Sequence, residues 1–158
     1  MPASGPRRAT QADVASVRAV TRAAYAKWVP LIGREPLPMG ADYERAVAEH
    51  WIDLWEEDGR LVALIEVVPR ETHLLIENLA VLPEQQGRGL GDRLLRHAEE
   101  LALSLGYGEI RLYTNAAFTA NLAFYAKRGY REFRRETMVP GSVAVHMHKL
   151  LAAAGQSR

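Results

Sequence analysis

The sequence contains no cysteine, which removes disulfides, thiolate metal sites and a cysteine nucleophile from consideration. A chain without thiols suits a reducing cytosol, and a cytoplasmic location is expected. An excess of one charge is also lacking: 20 Lys and Arg stand against 19 Asp and Glu, a formal net charge of +1. No overall field draws the chain to nucleic acid or to an anionic membrane, so neither is expected as a partner. No apolar run approaches the roughly 18 residues of a membrane-spanning helix. The first ten residues lack the apolar segment of a secretory leader. No repeat, low-complexity tract or linker composition is visible. With 158 residues, 48% of them hydrophobic and 25% charged, the expectation is one globular domain over 1–158 with a disordered tail at 152–158.

The periodicities that are present alternate between helix and strand. Arg7 to Thr10 reads as a short edge strand. Thr10 is placed as a helix N-cap with Asp13 in the acidic first turn. Val14, Val17, Val20 or Thr21, and Ala24 follow at helical spacing, which predicts an amphipathic helix from Gln11 to about Lys27. Trp28 to Gly40 carries Pro30, Gly33, Pro36, Pro38 and Gly40 and reads as a loop with stiff turns. Its apolar Trp28, Leu31, Ile32, Leu37 and Met39 suggest cover for a core edge or a cleft. A second short helix is expected from Asp42 to about His50.

From Trp51 the period changes to two. Trp51 to Trp55 and Leu61 to Val68 are predicted strands, joined by Glu57-Asp58-Gly59-Arg60 as a hairpin turn. His73 to Leu82 completes an antiparallel meander and ends at Pro83. Leu90, Leu94, Leu95, Ala98, Leu101, Ala102 and Leu105 mark a long helix closed by Gly106. Glu109 to Thr114 is the next strand, parallel to the third member of the meander because a helical crossover joins them. A short helix from about Thr119 to Arg128 ends at Gly129. Tyr130 to Met138 and Ser142 to Leu150 form a last hairpin about Pro140-Gly141. The fold class is α/β (α+β) with a mixed, mostly antiparallel sheet of about seven strands and about four helices.

Gln86-Gly87-Arg88-Gly89-Leu90-Gly91 stands between an apolar strand and an amphipathic helix. A helix start carries unpaired N–H groups and a partial positive charge, so it attracts anions. Glycines at 87, 89 and 91 remove side chains that would keep a phosphate from the backbone, and Arg88 adds charge at the rim. A Walker loop requires Gly-Lys-Ser/Thr, whereas Gly91 is followed by Asp92-Arg93. In a dinucleotide fingerprint Asp92 occupies the place of the third glycine. Both common nucleotide readings fail on spacing.

The remaining pattern, Gln-x-x-Gly-x-Gly at Gln86, Gly89 and Gly91, resembles the coenzyme A signature of the GNAT superfamily of N-acetyltransferases. The preceding Leu75-Ile76-Glu77-Asn78-Leu79-Ala80-Val81-Leu82-Pro83 resembles that family's fourth strand. Asn121-Leu122-Ala123-Phe124-Tyr125-Ala126-Lys127-Arg128-Gly129-Tyr130 resembles its downstream block. The segment Ile32-Gly33-Arg34-Glu35-Pro36 looks like that of a subgroup of bacterial members. The resemblance implies a sheet splayed between its fourth and fifth strands. It implies acetyl-CoA as cosubstrate, with no metal, and a primary amine of a small molecule or peptide as acceptor. The backbone of Leu79, Ala80 and Val81 would hold the pantetheine arm. The turn, Gln86, Gly87, Arg88, Gly89, Leu90 and Gly91, would take the pyrophosphate, and Asn121 the pantetheine.

By the same resemblance Tyr125, four residues after Asn121, is the general acid, although it also reads as a core tyrosine beside Phe124. Glu77 is the candidate base, directly or through water, and equally reads as a surface charge; His73 is an outside candidate. Arg34, Glu35 and Asp42 are possible acceptor contacts. Arg131, Arg134 and Arg135 would meet the 3′-phosphate or nothing. His146-x-His148 places two imidazoles on one strand face without an evident third ligand. The alternative to an enzyme is a non-catalytic acetyl-CoA sensor or interaction module on the same fold. A homodimer is left open.

Overall fold

A computed structural model of the chain describes residues 5–152, so the expected tail lies outside the described residues except for Ala152. The strands are β1 (Arg7–Arg8), β2 (Trp51–Glu57), β3 (Arg60–Pro69), β4 (Leu74–Val81), β5 (Glu109–Asn115), β6 (Arg131–Val139) and β7 (Ser142–Leu150). The α-helices are α1 (Val14–Tyr25), α2 (Val29–Ile32), α3 (Tyr43–Glu49), α4 (Leu90–Ser104) and α5 (Thr119–Lys127). Hydrogen-bonded neighbours in the sheet follow the order β1-β2-β3-β4-β5-β7-β6. This is the mixed, mostly antiparallel seven-stranded sheet expected from the sequence. By contacts the chain divides into two compact units. The first comprises residues up to Val68 with Glu77–Ala98, and the second Pro69–Ile76 with the residues from Glu99 on.

In the first unit β2 and β3 form a regular antiparallel hairpin from Trp51↔Val67 to Glu57↔Arg60, with one irregularity between Trp55 and Glu56. Asp58 and Gly59, with φ of 53° and 76°, are both left-handed. That is the turn whose twist matches its flanking strands, as Asp-Gly announces. All of Leu61–Val68 is buried, which explains why β3 is a continuous apolar run rather than an alternating one. The interruption is Glu66. α1 buries Val14, Val17, Val20, Thr21 and Ala24, the stripe read from its spacing. Its approach is a 3₁₀ turn closed by a capping box: Asp13 accepts from the Thr10 amide at 2.8 Å.

The stretch after α1 differs from expectation. Rather than a loop throughout, Val29–Ile32 makes one turn of helix and Leu37–Gly40 a 3₁₀ turn. Pro30 lies in the first turn, where no amide is required, so it starts α2 rather than breaking it. Gly33, at φ 75°, stops it and donates to the Val29 carbonyl. Of the apolar residues there, Met39 is buried while Leu31 and Leu37 are exposed.

Asn78 ties the first unit together from β4. Its Nδ2 donates to Thr21 Oγ1 (3.1 Å) and Tyr43 OH (3.2 Å), and its Oδ1 accepts from Tyr25 OH (2.9 Å). Tyr43 OH in turn donates to the Pro38 carbonyl at 2.7 Å. Buried polar groups must be paired, so this cluster fixes α1, α3 and the 3₁₀ turn relative to β4.

In the second unit Leu74, Leu75 and Ile76 of β4 pair in parallel with Ile110, Arg111 and Leu112. β5 pairs antiparallel with β7 from Glu109↔Leu150 to Asn115↔Ala144. β6 closes the order against β7 with irregularities at Glu132/Arg134 and Thr137/Val139, and all its residues are exposed. Ile110, Leu112, Tyr130, Val145 and Met147 form much of the core. α4 ends in a left-handed Gly106 at φ 89°, with Tyr107 N–H to Ala102 O at 2.9 Å and Gly106 N–H to Leu103 O at 3.0 Å. Those two bonds are the Schellman pair that satisfies the last carbonyls. Among the described residues no helix is long and apolar enough to cross a membrane.

Candidate functional site

The first unit holds the strand end and the glycine turn. Along β4, Glu77 and Leu79 are half-buried while Asn78 and Ala80 are buried, the alternation a strand imposes, and Val81 is buried at its end. Leu82 N–H bonds the Val62 carbonyl at 2.9 Å, and Pro83–Gln85 form a 3₁₀ turn. Gln86 then reaches back: its Nε2 donates to the Val81 carbonyl at 3.0 Å. That bond joins the two parts of the candidate site, Leu79–Val81 and Gln86–Gly91.

Gly87 and Gly89 have φ of 82° and 85°, so the chain passes twice through the left-handed region within three residues. Alternating handedness of this sort turns successive amides toward one side, as in anion-binding nests. The Gly89 carbonyl accepts from Arg93 N–H at 3.1 Å and opens α4. The amides of the following first turn have no partner within the helix itself. A Cβ added at Gly87 or Gly89 would meet no atom within 4 Å. These glycines are therefore required by backbone conformation, and the space above them is free of protein. Arg88 is exposed, donates to Gln85 Oε1 at 2.5 Å, and has Glu57 at 3.9 Å. Asp92 pairs with Arg96 one turn on, at 3.1 Å.

Glu77 has an acidic neighbour that sequence reading missed. Glu66 on β3 is buried and bonded to His50 Nδ1 at 2.6 Å. Burial raises its pKa and the Glu77 charge adds to that rise, while the His50 hydrogen bond opposes both. Burial also pushes the Tyr43 phenol up to about 12, with Glu66 and Glu77 contributing. A lone acid in the apolar run of β3 was the available signal for Glu66. Glu35 is committed to Arg22 at 2.7 Å, and Asp42 caps α3 by accepting from Arg45 N–H.

The second unit holds Asn121 and Tyr125, one helical turn apart on α5. Asn121 Nδ2 lies 3.4 Å from Thr114 Oγ1 on β5. Tyr125 is the inward-facing aromatic of its pair, edge-on to Phe124 at 5.2 Å and to Tyr130 at 5.8 Å. Phe124 is half-buried beneath the Arg128 guanidinium, 3.8 Å from its ring centroid. The Tyr125 hydroxyl makes no hydrogen bond among the described residues, and burial alone raises its pKa to about 12.

The other candidates resolve locally. His73 precedes β4, bonds Thr72 Oγ1 at 3.0 Å, and has its pKa lowered by burial and then by Arg111. Arg134 pairs with Glu136 (3.3 Å) and Arg135 with Glu132 (2.5 Å). His146 and His148 meet Glu136 and Glu109, each at 2.9 Å. No group of three metal-ligating side chains occurs among the described residues.

A strand, a glycine turn of alternating handedness and a long helix, followed by a strand and a helix carrying Asn121 and Tyr125, define an acetyltransferase-type architecture. Residues 18–130 match the family model of the acetyltransferase (GNAT) family, and the chain belongs to that family. It is 32% identical over 115 residues to S-alkylcysteine N-acetyltransferase of Bacillus subtilis (strain 168), covering 66% of this chain and 64% of that protein. It is 31% identical over 99 residues to mycothiol acetyltransferase of Clavibacter sepedonicus, covering 58% and 32% respectively. The chain thus spans less than two thirds of the length of these relatives. In fold it is similar to the PaiA N-acetyltransferase of Thermoplasma acidophilum, crystallised in complex with coenzyme A. The TM-score is 0.79 at 20% identity, over 95% of this chain and 99% of that one.

Proposed function

We propose that this chain transfers an acetyl group from acetyl-CoA to a primary amine of a small molecule or peptide. The observation that carries the reading is Tyr125: a buried phenol with no hydrogen-bond partner among the described residues, on the helix face it shares with Asn121. A donor left unbonded by the protein is suited to meet charge that develops only during reaction. The turn fits the donor molecule, because Gly87 and Gly89 keep open space above a backbone bent to present amides. Acetyl-CoA supplies the acetyl thioester. Leu79, Ala80 and Val81 align its arm as an added strand would be aligned, and Gln86, Gly87, Arg88, Gly89, Leu90 and Gly91 bind its pyrophosphate. Asn121 orients the pantetheine amide.

Glu77 removes a proton from the acceptor ammonium, directly or through water, and Tyr125 donates one to the departing sulfur. With a pKa near 12, Tyr125 stays protonated throughout the neutral range. It lies above the ordinary thiol value of about 8.5, so full transfer to a solvated thiolate would be uphill. Loss of water raises the basicity of the sulfur in the same way, which narrows the gap. The similarity to enzymes named for S-alkylcysteine and mycothiol favours small-molecule amines as the first acceptors to try.

Release of free thiol from acetyl-CoA with a panel of amines tests the proposal. Turnover with at least one amine class is expected. Tyr125→Phe is expected to lower kcat at least tenfold while the Kd for acetyl-CoA moves less than twofold. Coenzyme binding without turnover on any amine would favour a sensor, and an unchanged kcat in the variant would withdraw the acid role.

A further inference from the structure

We infer that Lys27 is a phosphate-binding residue of the coenzyme site, held at the glycine turn by Gln86; this rests on the acetyl-CoA reading proposed above. Lys27 lies 59 positions before Gln86, in the 3₁₀ turn Ala26–Trp28 that extends α1. Its Nζ donates to Gln86 Oε1 at 3.0 Å and sits 5.0 Å from the centroid of the Trp28 ring. The amide it touches has a fixed orientation. Gln86 Nε2 is engaged by the Val81 carbonyl at 3.0 Å, so Oε1 faces the ammonium.

The other arginines around the turn, Arg93 excepted, are held by acceptor side chains. Arg88 donates to Gln85 and has Glu57 within 3.9 Å. Arg60 is paired with Glu84 at 2.7 Å, and Arg93 lies 5.9 Å from the Trp55 ring centroid. Arg96 pairs with Asp92. Lys27 has a neutral amide and a ring as partners; among the described residues neither it nor Arg93 has a carboxylate partner, and of those two side chains only that of Lys27 is bonded to the turn, through Gln86. A full positive charge held by a neutral amide gains charge–charge attraction when an anion takes that acceptor's place, so the exchange is favoured. The ligand chemistry is a pyrophosphate, and the backbone amides of the turn and the Lys27 ammonium would meet it together. Backbone amides set its geometry; Lys27 supplies a formal charge that neither the glycines nor the paired arginines contribute.

The test compares acetyl-CoA with S-acetylpantetheine, which lacks phosphates, by calorimetry on wild type, Lys27→Ala and Lys27→Arg across a salt series. Lys27 is exposed, and unchanged Tm values would establish that the variants are folded. Lys27→Ala is expected to weaken acetyl-CoA binding about tenfold at low salt and to flatten its salt dependence. S-acetylpantetheine binding should be unchanged, and Lys27→Arg should retain most of the affinity. Equal acetyl-CoA affinity and salt slope in wild type and Lys27→Ala, with binding still lost in Gly89→Ala, would overturn the role of Lys27 alone. Failure of the wild type to bind acetyl-CoA would overturn both this inference and the reading beneath it.

Discussion

Gly89→Ala separates the two reasons a glycine can be required. At φ 85° an alanine is strained, whereas its Cβ would touch nothing within 4 Å. Folding should therefore lose only the left-handed penalty, roughly 1–2 kcal/mol. In a domain of this size each kcal/mol shifts Tm by about 2–4 °C, so a fall of ~2–8 °C is expected. Acetyl-CoA binding should suffer far more, about a hundredfold in Kd, because the methyl enters the space proposed for the pyrophosphate. Gly89→Asn sharpens the comparison. Asparagine tolerates the left-handed region, so part of the stability should return, yet its longer side chain blocks the same space and affinity should stay lost. Calorimetric Tm and titration of acetyl-CoA at a temperature where all three proteins are folded give both readouts. Gly89→Ala with a lowered Tm and wild-type affinity would refute the phosphate site, leaving Gly89 as a turn residue only.

Other consequences concern stability. Asn78→Ala should cost roughly 2–4 kcal/mol by urea unfolding, since it leaves the Thr21, Tyr25 and Tyr43 hydroxyls short of a buried partner. A loss below ~1 kcal/mol would show that the cluster contributes little. Asp13 is held down to about 2 by the Arg7 hydrogen bond, acting against burial. Its folded pKa lies below its unfolded value of about 3.9, so the stabilisation is present above pH ~4 and is lost as pH falls toward 2. Arg7→Ala should thus be less stable than wild type at neutral pH, by a margin that shrinks between pH 4 and 2; a margin that stays constant would refute the linkage.

Local physics explains what was legible in the sequence. Asp58-Gly59 specifies its turn because few other pairs accept two left-handed residues, and Gly106 announces the end of α4 for the same reason. The turn at Gln86–Gly91 was readable because its glycines record a backbone path. α2 was not, because Pro30 and Gly33 look like loop punctuation while marking the start and stop of one helical turn. The contacts that remained hidden are tertiary. Glu66 with His50, Asn78 with three hydroxyls, and Lys27 with Gln86 join residues 16 to 59 positions apart, and no periodicity encodes such pairings. Exposed polar side chains are especially opaque, since their pattern only says that they face water.

The outermost strand has a consequence for solubility. Among the described residues β6 ends the sheet with one edge unpaired, and it exposes Phe133, Met138 and Val139. Backbone groups in such an edge are a template on which another extended chain can grow. Here Arg131, Glu132, Arg134, Arg135 and Glu136 occupy five of the first six positions of the strand, and two irregularities interrupt its register. A newcomer would have to desolvate five charges and follow a broken ladder, so aggregation through this edge is discouraged during synthesis and refolding alike. Neutralising those charges would turn the same nine residues into a nucleus for cross-β assembly.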